Sequence, residues 1–450
     1  MNNRKELLGQ EHPDTLTSMA NLASTYRNQG RWNKAEQLEI QVLDISKRVI
    51  GHDHPDTLSN MANLGSTYRH QGRWNEAEKL EIQVLDIRKR VLGQEHPDTW
   101  TSMASLASTY THQGRWNEAE QLQIQVLDVR KRVLGHDHPD TLIGMANLAL
   151  IYTYQGRWNE AEQLQIQVLG IRKKVFGQEH PDTLISMDDL ASTYRNQGRW
   201  NEAEHLQIQV LNISKRVIGQ EHPDTLSSIA NLALIYLYQG RWNEAEELQI
   251  QVLDIKKRVL GHDHPDTLTS MANLASTYTY QRRWNEAEQL EIQVLDISKK
   301  VLGQEHPNTL ISMANLASTY TYQRRWNEAE QLEIQVLDIK KKVLGQEHPG
   351  TLNSMANLAS TYTYQERWNE AEQLDIQVLD VRKRVLGQEH PDTLTGIANL
   401  ASIYTHQKRW NEAEELHIQV LNMRKRVLGQ KHPDTLNSME NLASIYRYQE

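Results

Sequence analysis

The sequence of 450 residues contains no cysteine and only one phenylalanine. The missing cysteines exclude disulfide bonds and thiolate chemistry. No stretch approaches about 18 apolar residues, so no membrane-spanning helix is predicted, and the opening MNNRKELLGQ has no apolar core like a signal peptide's. The formal net charge of −9 argues against nucleic acid as the main partner. Together these features predict a soluble, cytoplasmic protein.

Proline is confined to eleven positions, each of which follows a histidine, at a constant interval of 42 residues. Ten of the eleven tryptophans keep the same interval, from Trp32 to Trp410. Such self-similarity indicates a repeat architecture whose units contact only their neighbours. We therefore predict one continuous array over residues 1–450, with 1–9 as the tail of a truncated helix and 433–450 as a half repeat. The prolines are Pro13, Pro55, Pro97, Pro139, Pro181, Pro223, Pro265, Pro307, Pro349, Pro391 and Pro433.

One repeat contains two helical stripes separated by a short turn. The segment DTLTSMANLASTYRNQ places Leu16, Met19, Leu22 and Tyr26 at the spacing of one helix face. The segment NKAEQLEIQVLDISKRVI carries a second stripe, which begins at Ala35. Each repeat is therefore predicted to be a helical hairpin, with a first helix of about 15 residues and a second of about 17.

Local signals mark where the two helices begin. Pro13 suits a first helical turn, and Asp14 or Thr15 can cap it. The histidine before each proline can also help to cap the helix. In the second helix, Asn33 followed by Glu36 has the spacing of a capping box.

The residue in the hairpin turn changes along the chain. Glycine occupies positions 30, 72, 114, 156, 198 and 240, whereas the later repeats carry Arg282, Arg324, Glu366 and Lys408. If this residue is left-handed, each side chain other than glycine costs roughly 1 kcal/mol. We therefore predict weaker hydrogen-exchange protection in the later turns.

The apolar pattern resembles that of a known repeat family. L-A-x-x-Y followed nine residues later by alanine, as in Leu22, Ala23, Tyr26 and Ala35, resembles the tetratricopeptide repeat. The 42-residue form with YRNQGRWNEAE and RKRVLGQEHPDTL is similar to the kinesin light chain type. The resemblance implies an all-α fold, a right-handed α-solenoid (superhelix) of about ten and a half helical hairpins. Such arrays in filamentous fungi often follow a nucleotide-binding switch of the NB-ARC kind and an effector domain.

One position in the second helix departs from the family pattern. The family has a bulky residue there, whereas this sequence has Glu39, Glu81, Gln123 and similar polar residues. We therefore expect either that the helix is slightly rotated or that this site faces solvent.

The family geometry places the asparagine before L-A on the inner face of the first helix, where it lines a concave groove. An asparagine side chain offers both a donor and an acceptor, so a row of them can pair with the backbone of an extended peptide of any sequence. In the alternative interpretation, these amides bond between adjacent hairpins and stabilise the stack, and both roles can coexist. The proposed groove asparagines are Asn21, Asn63, Asn147, Asn231, Asn273, Asn315, Asn357 and Asn399, followed by Asn441.

The two positions after the repeated tyrosine vary between copies, and the resemblance places them on the same groove. Variable side chains beside a constant amide row are suited to select the side chains of a ligand. Tyrosine is a good selector because it offers a large contact area at low entropic cost. The candidate selectors are Arg27, Asn28, Arg69, His70, Tyr154, Arg195, Tyr238, Tyr280, Tyr322, Tyr364 and His406.

Other repeated motifs favour structural roles. The GHDHPD segments suggest a metal site, but no nearby cysteine or second carboxylate completes one, so we predict no metal. The tryptophans are expected to cover the hairpin ends. The basic triplets, such as 130–132, are expected to cap helix ends. The sequence has no phosphate loop of the G-x-x-x-x-G-K type and no G-x-S-x-G elbow, so we predict neither an enzyme nor a cofactor.

The sequence thus predicts a non-catalytic scaffold for proteins or extended peptides. The first hypothesis is the ligand-recognition part of a larger fungal protein with an NB-ARC switch. The alternative is a free-standing adaptor of the kinesin light chain kind, which links cargo to a motor; a third is part of an enzyme whose chemistry lies in another domain. An upstream phosphate loop would favour the first and an upstream heptad coiled coil the second. Because neither end has a distinct polar cap, we also expect end-to-end self-association.

Overall fold

The computed structural model describes residues 6–29, 31–430 and 432–449, and within these ranges all regular structure is helical. The chain divides into two compact units, residues 1–151 and 152–450, and each is described by itself. Consecutive helices within each unit pack side by side as antiparallel hairpins.

The first helix of each hairpin begins at the repeated proline and the second at the repeated tryptophan. The first helices, of 16 residues except for the last of 17, are α1 (Pro13–Asn28), α3 (Pro55–His70), α5 (Pro97–His112), α7 (Pro139–Tyr154), α9 (Pro181–Asn196), α11 (Pro223–Tyr238), α13 (Pro265–Tyr280), α15 (Pro307–Tyr322), α17 (Pro349–Tyr364), α19 (Pro391–His406) and α21 (Pro433–Gln449). The second helices, of 18 or 19 residues, are α2 (Trp32–Val49), α4 (Trp74–Val91), α6 (Trp116–Leu134), α8 (Trp158–Val175), α10 (Trp200–Val217), α12 (Trp242–Leu260), α14 (Trp284–Val301), α16 (Trp326–Val343), α18 (Trp368–Val385) and α20 (Trp410–Val427).

The histidine before each proline caps the first helix. In α1, the Nδ1 of His12 accepts a hydrogen bond from the backbone N–H of Asp14, at 3.2 Å. The expectation that Asp14 or Thr15 provides the cap is wrong. In the second hairpin the equivalent threonine, Thr57, instead donates its hydroxyl to the carbonyl oxygen of Gly51 in the preceding loop.

The predicted capping box of the second helix is also wrong. Helix α2 already begins at Trp32, one residue before Asn33, and Arg31 at its N-cap makes no side-chain capping bond. Glu36 turns away from its own helix end. It accepts hydrogen bonds from Gln71 and Arg73 of the next hairpin, at 2.8 and 2.7 Å.

The hairpin turns adopt the left-handed conformation that the turn residues suggested. Gly72 has φ +73°, and the non-glycine residues at the same position, such as Arg282 and Lys408, have φ +61° and +60°. Gly30, at the first turn, lies outside the described residues. The turn residues are therefore left-handed, which is the conformation that the prediction of weaker hydrogen-exchange protection in the later turns requires.

The core is a series of small layers, each of which joins three helices. In one layer, Leu253 of α12 packs against Leu268, Met271 and Leu274 of α13 and against Val294 of α14. Burial of one such side chain contributes about 1.5–3 kcal/mol. Because each layer draws on two hairpins, no hairpin completes its core alone, which is the physical reason for the stacking.

A polar contact also recurs between neighbouring hairpins. The Nη1 of Arg325 lies 2.7 Å from the Oε1 of Glu288 in the preceding hairpin. The same guanidinium bonds Glu328 at 3.1 Å and lies 4.1 Å from the ring centroid of Tyr320. Equivalent contacts join Arg73–Glu36, Arg115–Glu78, Arg199–Glu162, Arg241–Glu204, Arg283–Glu246, Arg367–Glu330 and Arg409–Glu372.

The polar position in the middle of the second helix is buried. Glu39 and Glu81 are each 4% exposed, and Gln123 is 1% exposed. The neighbouring Ile40 is 38% exposed. The expectation that this polar site faces solvent is therefore wrong, and a row of acids and amides lies inside the stack.

Candidate peptide-binding groove

The predicted groove residues share one face of the first helix. In α13 they are Asn273 and Tyr280, and Thr269 and Ser276 lie on the same side of the helix at steps of four, three and four. All four are half-buried or exposed, whereas Leu274 between them is buried. This face of α13 therefore lies away from the buried leucine.

The groove asparagines make no side-chain hydrogen bond inside the described part of the chain. Asn273 and Asn315 on α13 and α15 are half-buried, while Asn357 and Asn399 on α17 and α19 are exposed. Bonds between adjacent hairpins, which the alternative interpretation required, are therefore absent among the described residues. The amides keep both donor and acceptor free.

The variable tyrosines form an exposed row beside these amides. Tyr154, Tyr238, Tyr280, Tyr322 and Tyr364 each expose about half of their surface, from 47% to 52%. Burial raises the pKa of Tyr280, and the neighbouring hydroxyls of Tyr238 and Tyr322 raise it further. The rings of consecutive hairpins are thus close enough to act on one another.

The basic candidates are already engaged within the chain. Arg27 pairs with the buried Glu39 at 3.2 Å and donates to the carbonyl oxygen of Asn63 in the next hairpin at 3.0 Å. Arg69 pairs with Glu81 at 3.4 Å. These contacts join hairpins and leave little of either guanidinium for a ligand.

The third arginine of the candidate set is also held in place. The Nη2 of Arg195 donates to the Oγ of Ser192 at 3.1 Å. Burial lowers the pKa of Arg195, because the charged form is removed from water.

The remaining candidates differ in their surroundings. The Nδ1 of His70 lies 2.7 Å from the carbonyl oxygen of Ser66, one helical turn earlier. His406 stacks on Trp368 of the preceding hairpin, with 4.8 Å between ring centroids. Asn28 is exposed at the end of α1.

A cavity of about 460 Å³ opens on this face between α13 and α15. Ser276 and Tyr280 line it from one helix, and Asn315 and Tyr322 from the other. Glu291 of α14, which is 4% exposed, lines the same cavity. The cavity therefore joins the amide row, the tyrosine row and one of the buried acids.

Two buried carboxyls in these hairpins have unusual protonation. Burial raises the pKa of Glu291 to about 7, and the like charge of Glu288 acts in the same direction, while the Thr319 hydroxyl opposes it. The pKa of Glu333 is raised to about 7 in the same way, with Glu330 and the Thr361 hydroxyl as its neighbours. Both carboxyls are thus poised near neutral pH.

The sequence by itself does not single out Glu291 and Glu333. Their position stands out there only as a departure from a family pattern. The available signal was a paired change: Arg27 and Arg69 accompany an acid in the first two repeats, but a threonine replaces the arginine in later repeats that keep the acid. Only burial and contacts connect those two positions.

The basic triplets bond neighbouring segments. Arg88 donates to the carbonyl oxygen of Asp98 at 3.1 Å and to the hydroxyl of Ser102 at 2.8 Å, both in the next hairpin. Arg90 pairs with Asp53 of the preceding loop at 2.8 Å. The expected role of these residues in capping their own helix end is thus replaced by contacts between repeats.

Trp74 packs as expected at a hairpin end, whereas Trp242 is 41% exposed. Trp74 stacks on His112 of the next hairpin, with 4.7 Å between ring centroids. The out-of-register Trp100 is buried and donates its Nε1–H to the carbonyl oxygen of Gln94. The rings of Trp74 and Trp100 therefore cover hairpin contacts.

The described residues contain neither a metal-binding cluster nor a membrane-spanning helix. Across residues 6–29, 31–430 and 432–449, no group of three or more histidine and acidic side chains is arranged to hold a metal ion. No helix in this part of the chain combines the length and apolar character needed to cross a bilayer.

Comparison with known proteins identifies the repeat. Two family models, both described as tetratricopeptide repeat, match residues 14–90, 57–123, 95–174, 144–216, 186–257, 224–300 and 392–450 for the first and 309–350 and 351–392 for the second. None of the curated proteins matches the chain.

Several solved structures are similar to this chain in sequence. Two crystal structures of a Podosopora anserina chain, assigned as a kinesin light chain with nearly identical TPR-like repeats, are 36% and 37% identical to this protein. They cover 46% of this chain and 97% and 98% of their own, with a TM-score of 0.39 each. BtubC (BKLC) from P. vanneervenii is 18% identical over 52% of this chain and 92% of its own, with a TM-score of 0.41.

The family matches extend over nearly all of the sequence and coincide with the observed hairpins. The all-α architecture of stacked hairpins is the solenoid arrangement of such repeats. This chain belongs to the tetratricopeptide repeat family.

Proposed function

We propose that the protein is a non-catalytic scaffold that binds an extended peptide or protein segment along the inner face of its first helices. The observation that carries the proposal is the row of asparagine amides in eight of the first ten hairpins, which make no side-chain hydrogen bond among the described residues. Ser105 and Asp189 replace asparagine in the third and fifth hairpins. A buried or half-buried amide without a partner is costly unless water or a ligand satisfies it.

The proposed mechanism separates general from selective contacts. The amides of Asn273, Asn315 and Asn357 pair with backbone N–H and C=O groups, which every peptide has. The exposed rings of Tyr280 and Tyr322 contact the ligand's side chains. Because Arg27 and Arg69 are engaged within the stack, the proposed selective part of the groove lies in the tyrosine-bearing hairpins.

The wider setting of the scaffold is a further part of the proposal. We place it in the cytoplasm, as the ligand-recognition part of a larger fungal protein with an NB-ARC switch. The high identity between copies supports this, because unequal exchange between near-identical repeats changes groove length. The alternative is an adaptor between cargo and motor, which the kinesin light chain type of motif supports. The full-length transcript distinguishes them by an in-frame phosphate loop or a heptad segment.

The groove itself can be tested with a displayed library of random 12-residue peptides. Peptides selected on the wild-type chain are measured again on a variant with Asn273→Leu, Asn315→Leu and Asn357→Leu, which keeps side-chain size but removes the amides. The matched control changes Gln293, Gln335 and Gln377 to leucine, on exposed positions of the second helices.

We expect the asparagine variant to bind the selected peptides at least about tenfold more weakly, since several charge-free hydrogen bonds of about 1 kcal/mol each are lost. The glutamine control is expected to bind like the wild type. Selected peptides that bind all three chains equally would reject the groove, as would a library that yields no ligand.

A further inference from the structure

A buried polar residue recurs near the middle of each second helix, and its partner changes along the chain. In the first two hairpins it is a glutamate paired with an arginine from the end of the first helix, as in Glu39 with Arg27 at 3.2 Å and Glu81 with Arg69 at 3.4 Å. In each pair the guanidinium of the first helix lies beside the buried carboxylate of the second helix. The charge of the acid is thus neutralised within the chain.

The seventh hairpin keeps the acid but not the base. Glu291 replaces Glu39, while Thr279 stands where Arg27 stands in the first hairpin. The Oε2 of Glu291 is buried and has no hydrogen-bond partner among the described residues. The charged group that acts on it most closely is Glu288, which has the same sign.

Thr279 is shorter than the arginine at this position in the first two hairpins, and a cavity lies beside the Glu291 carboxyl. Thr279 and Glu291 both line the cavity of about 460 Å³, whose rim carries Tyr280 and Tyr322. Arg282 also reaches the cavity wall, but it forms no ion pair with Glu291. The cavity is therefore lined by a buried acid that has no ion pair among the described residues and by two half-exposed aromatic rings.

We infer that this cavity binds the guanidinium of an arginine side chain supplied by the extended ligand, which takes the place of the chain's own Arg27-type arginine. The inference rests on the proposed function of the groove and names the side chain that it selects. Guanidinium suits the site because it pairs with a carboxylate and also lies over aromatic faces.

A second buried acid without an arginine partner lies one hairpin further along. Glu333 is buried, its Oε2 has no hydrogen-bond partner among the described residues, and Thr321 replaces the arginine. A ligand that uses both sites therefore carries two arginines.

The test uses the full chain and a fluorescein-labelled peptide, Gly-Ser-Arg-Ser-Ser-Arg-Ser-Gly. A second peptide has citrulline, a neutral isostere, in place of both arginines. Fluorescence anisotropy measures each dissociation constant. The decisive variant, Thr279→Arg with Thr321→Arg, places an arginine beside each acid, as in the first two hairpins, and fills the cavity beside Glu291.

A matched control, Asp296→Asn with Asp338→Asn, makes the same change in net charge at exposed positions of α14 and α16. A second test variant, Glu291→Gln with Glu333→Gln, removes the acids without adding bulk. It keeps the test valid if the arginine variant does not fold.

We expect the wild type and the aspartate control to bind the arginine peptide at least about tenfold more tightly than the citrulline peptide. Both test variants are expected to lose that preference. Equal binding of the two peptides by the wild type would overturn the inference, and so would unchanged arginine binding by either test variant.

The test of the arginine site and the test of the peptide-binding groove can fail independently. If library peptides depend on the asparagines but contain no arginine and tolerate Thr279→Arg with Thr321→Arg, the groove stands and the arginine site is rejected. If no library peptide depends on the asparagines, the proposed function fails first.

Discussion

His390 donates a hydrogen bond from its Nε2 to the carbonyl oxygen of Tyr154, 236 residues away, at 3.1 Å. Its Nδ1 accepts from the backbone N–H of Asp392, which leaves the proton on Nε2. The start of α19 therefore rests against the turn that follows α7. The same contact recurs between His432 and Asn196, so within residues 152–450 a hairpin turn meets a helix start six hairpins further along.

This contact gives glycine in the turn a second role. A Cβ on Gly156 would lie 2.4 Å from the Cδ of Pro391, whereas a Cβ on Gly240 would meet nothing within 4 Å. Both residues are left-handed, with φ +71° and +78°. We expect Gly240→Arg to cost about 1 kcal/mol from backbone strain alone. Gly156→Arg is expected to cost more and to lower hydrogen-exchange protection at the start of α19. Equal effects of the two substitutions on stability and on hydrogen exchange would show that the contact with Pro391 does not contribute to stability.

Reversal of the natural substitutions should stabilise the later turns. Arg282 and Glu366 hold φ near +60° at positions where earlier hairpins have glycine. We expect Arg282→Gly or Glu366→Gly to slow local hydrogen exchange, with a gain of about 1 kcal/mol per turn. Uniform hydrogen-exchange protection of all turns in the wild-type protein would contradict this, because the strained turns would then open no more often than the glycine turns.

The buried acids predict a dependence of stability on pH. The pKa values of Glu291 and Glu333 are about 7 in the folded chain, compared with about 4.5 for an unperturbed glutamate. The folded state therefore holds more protons between these values. Their contribution to stability is fully present below pH 4.5 and is lost as the pH rises through 7.

The loss is on the order of 3 kcal/mol per carboxyl. We expect Glu291→Gln with Glu333→Gln to raise the urea midpoint at pH 8 and to leave it nearly unchanged at pH 4.5. The exposed pair Asp296→Asn and Asp338→Asn serves as the control and should not flatten the pH profile. A profile identical for wild type and glutamine variant would rule out the shifted carboxyls as its cause.

The recurring arginine contact predicts a stability difference between two adjacent residues. Arg325 joins Glu288, Glu328 and the ring of Tyr320, whereas Arg324 beside it forms no ion pair among the described residues. We expect Arg325→Ala to lower stability by about 1–2 kcal/mol, because a network and a cation–π contact are lost together. Arg324→Ala should have little effect. The urea midpoint measures both, and added salt should narrow the difference.

Local patterns in the sequence predicted the hairpin correctly because both helices depend on spacing along the chain. Leu16 and Met19 at helical intervals, with a proline at the first helical position and a glycine in the turn, act within a few residues. The same signals misplaced the caps. Either His12 or Asp14 could supply the capping atom, and Glu36 could bond its own helix or the next hairpin; packing decided both.

The groove face was predictable for the same reason, since Asn273 and Tyr280 keep a fixed angle to Leu274 around α13. What the asparagine amides bond to was not predictable, because that depends on the distance to another hairpin.

The sequence by itself thus determined the period, the hairpin and the face that each side chain takes, because these follow from helical geometry over short spans. Only the tertiary structure decided that Glu39 is buried and paired with Arg27, that Glu291 is buried without a base, and that Gly156 touches Pro391. Each of these is a contact between residues of different helices. Whether a residue is buried or paired depends on that contact and not on the residue's type alone.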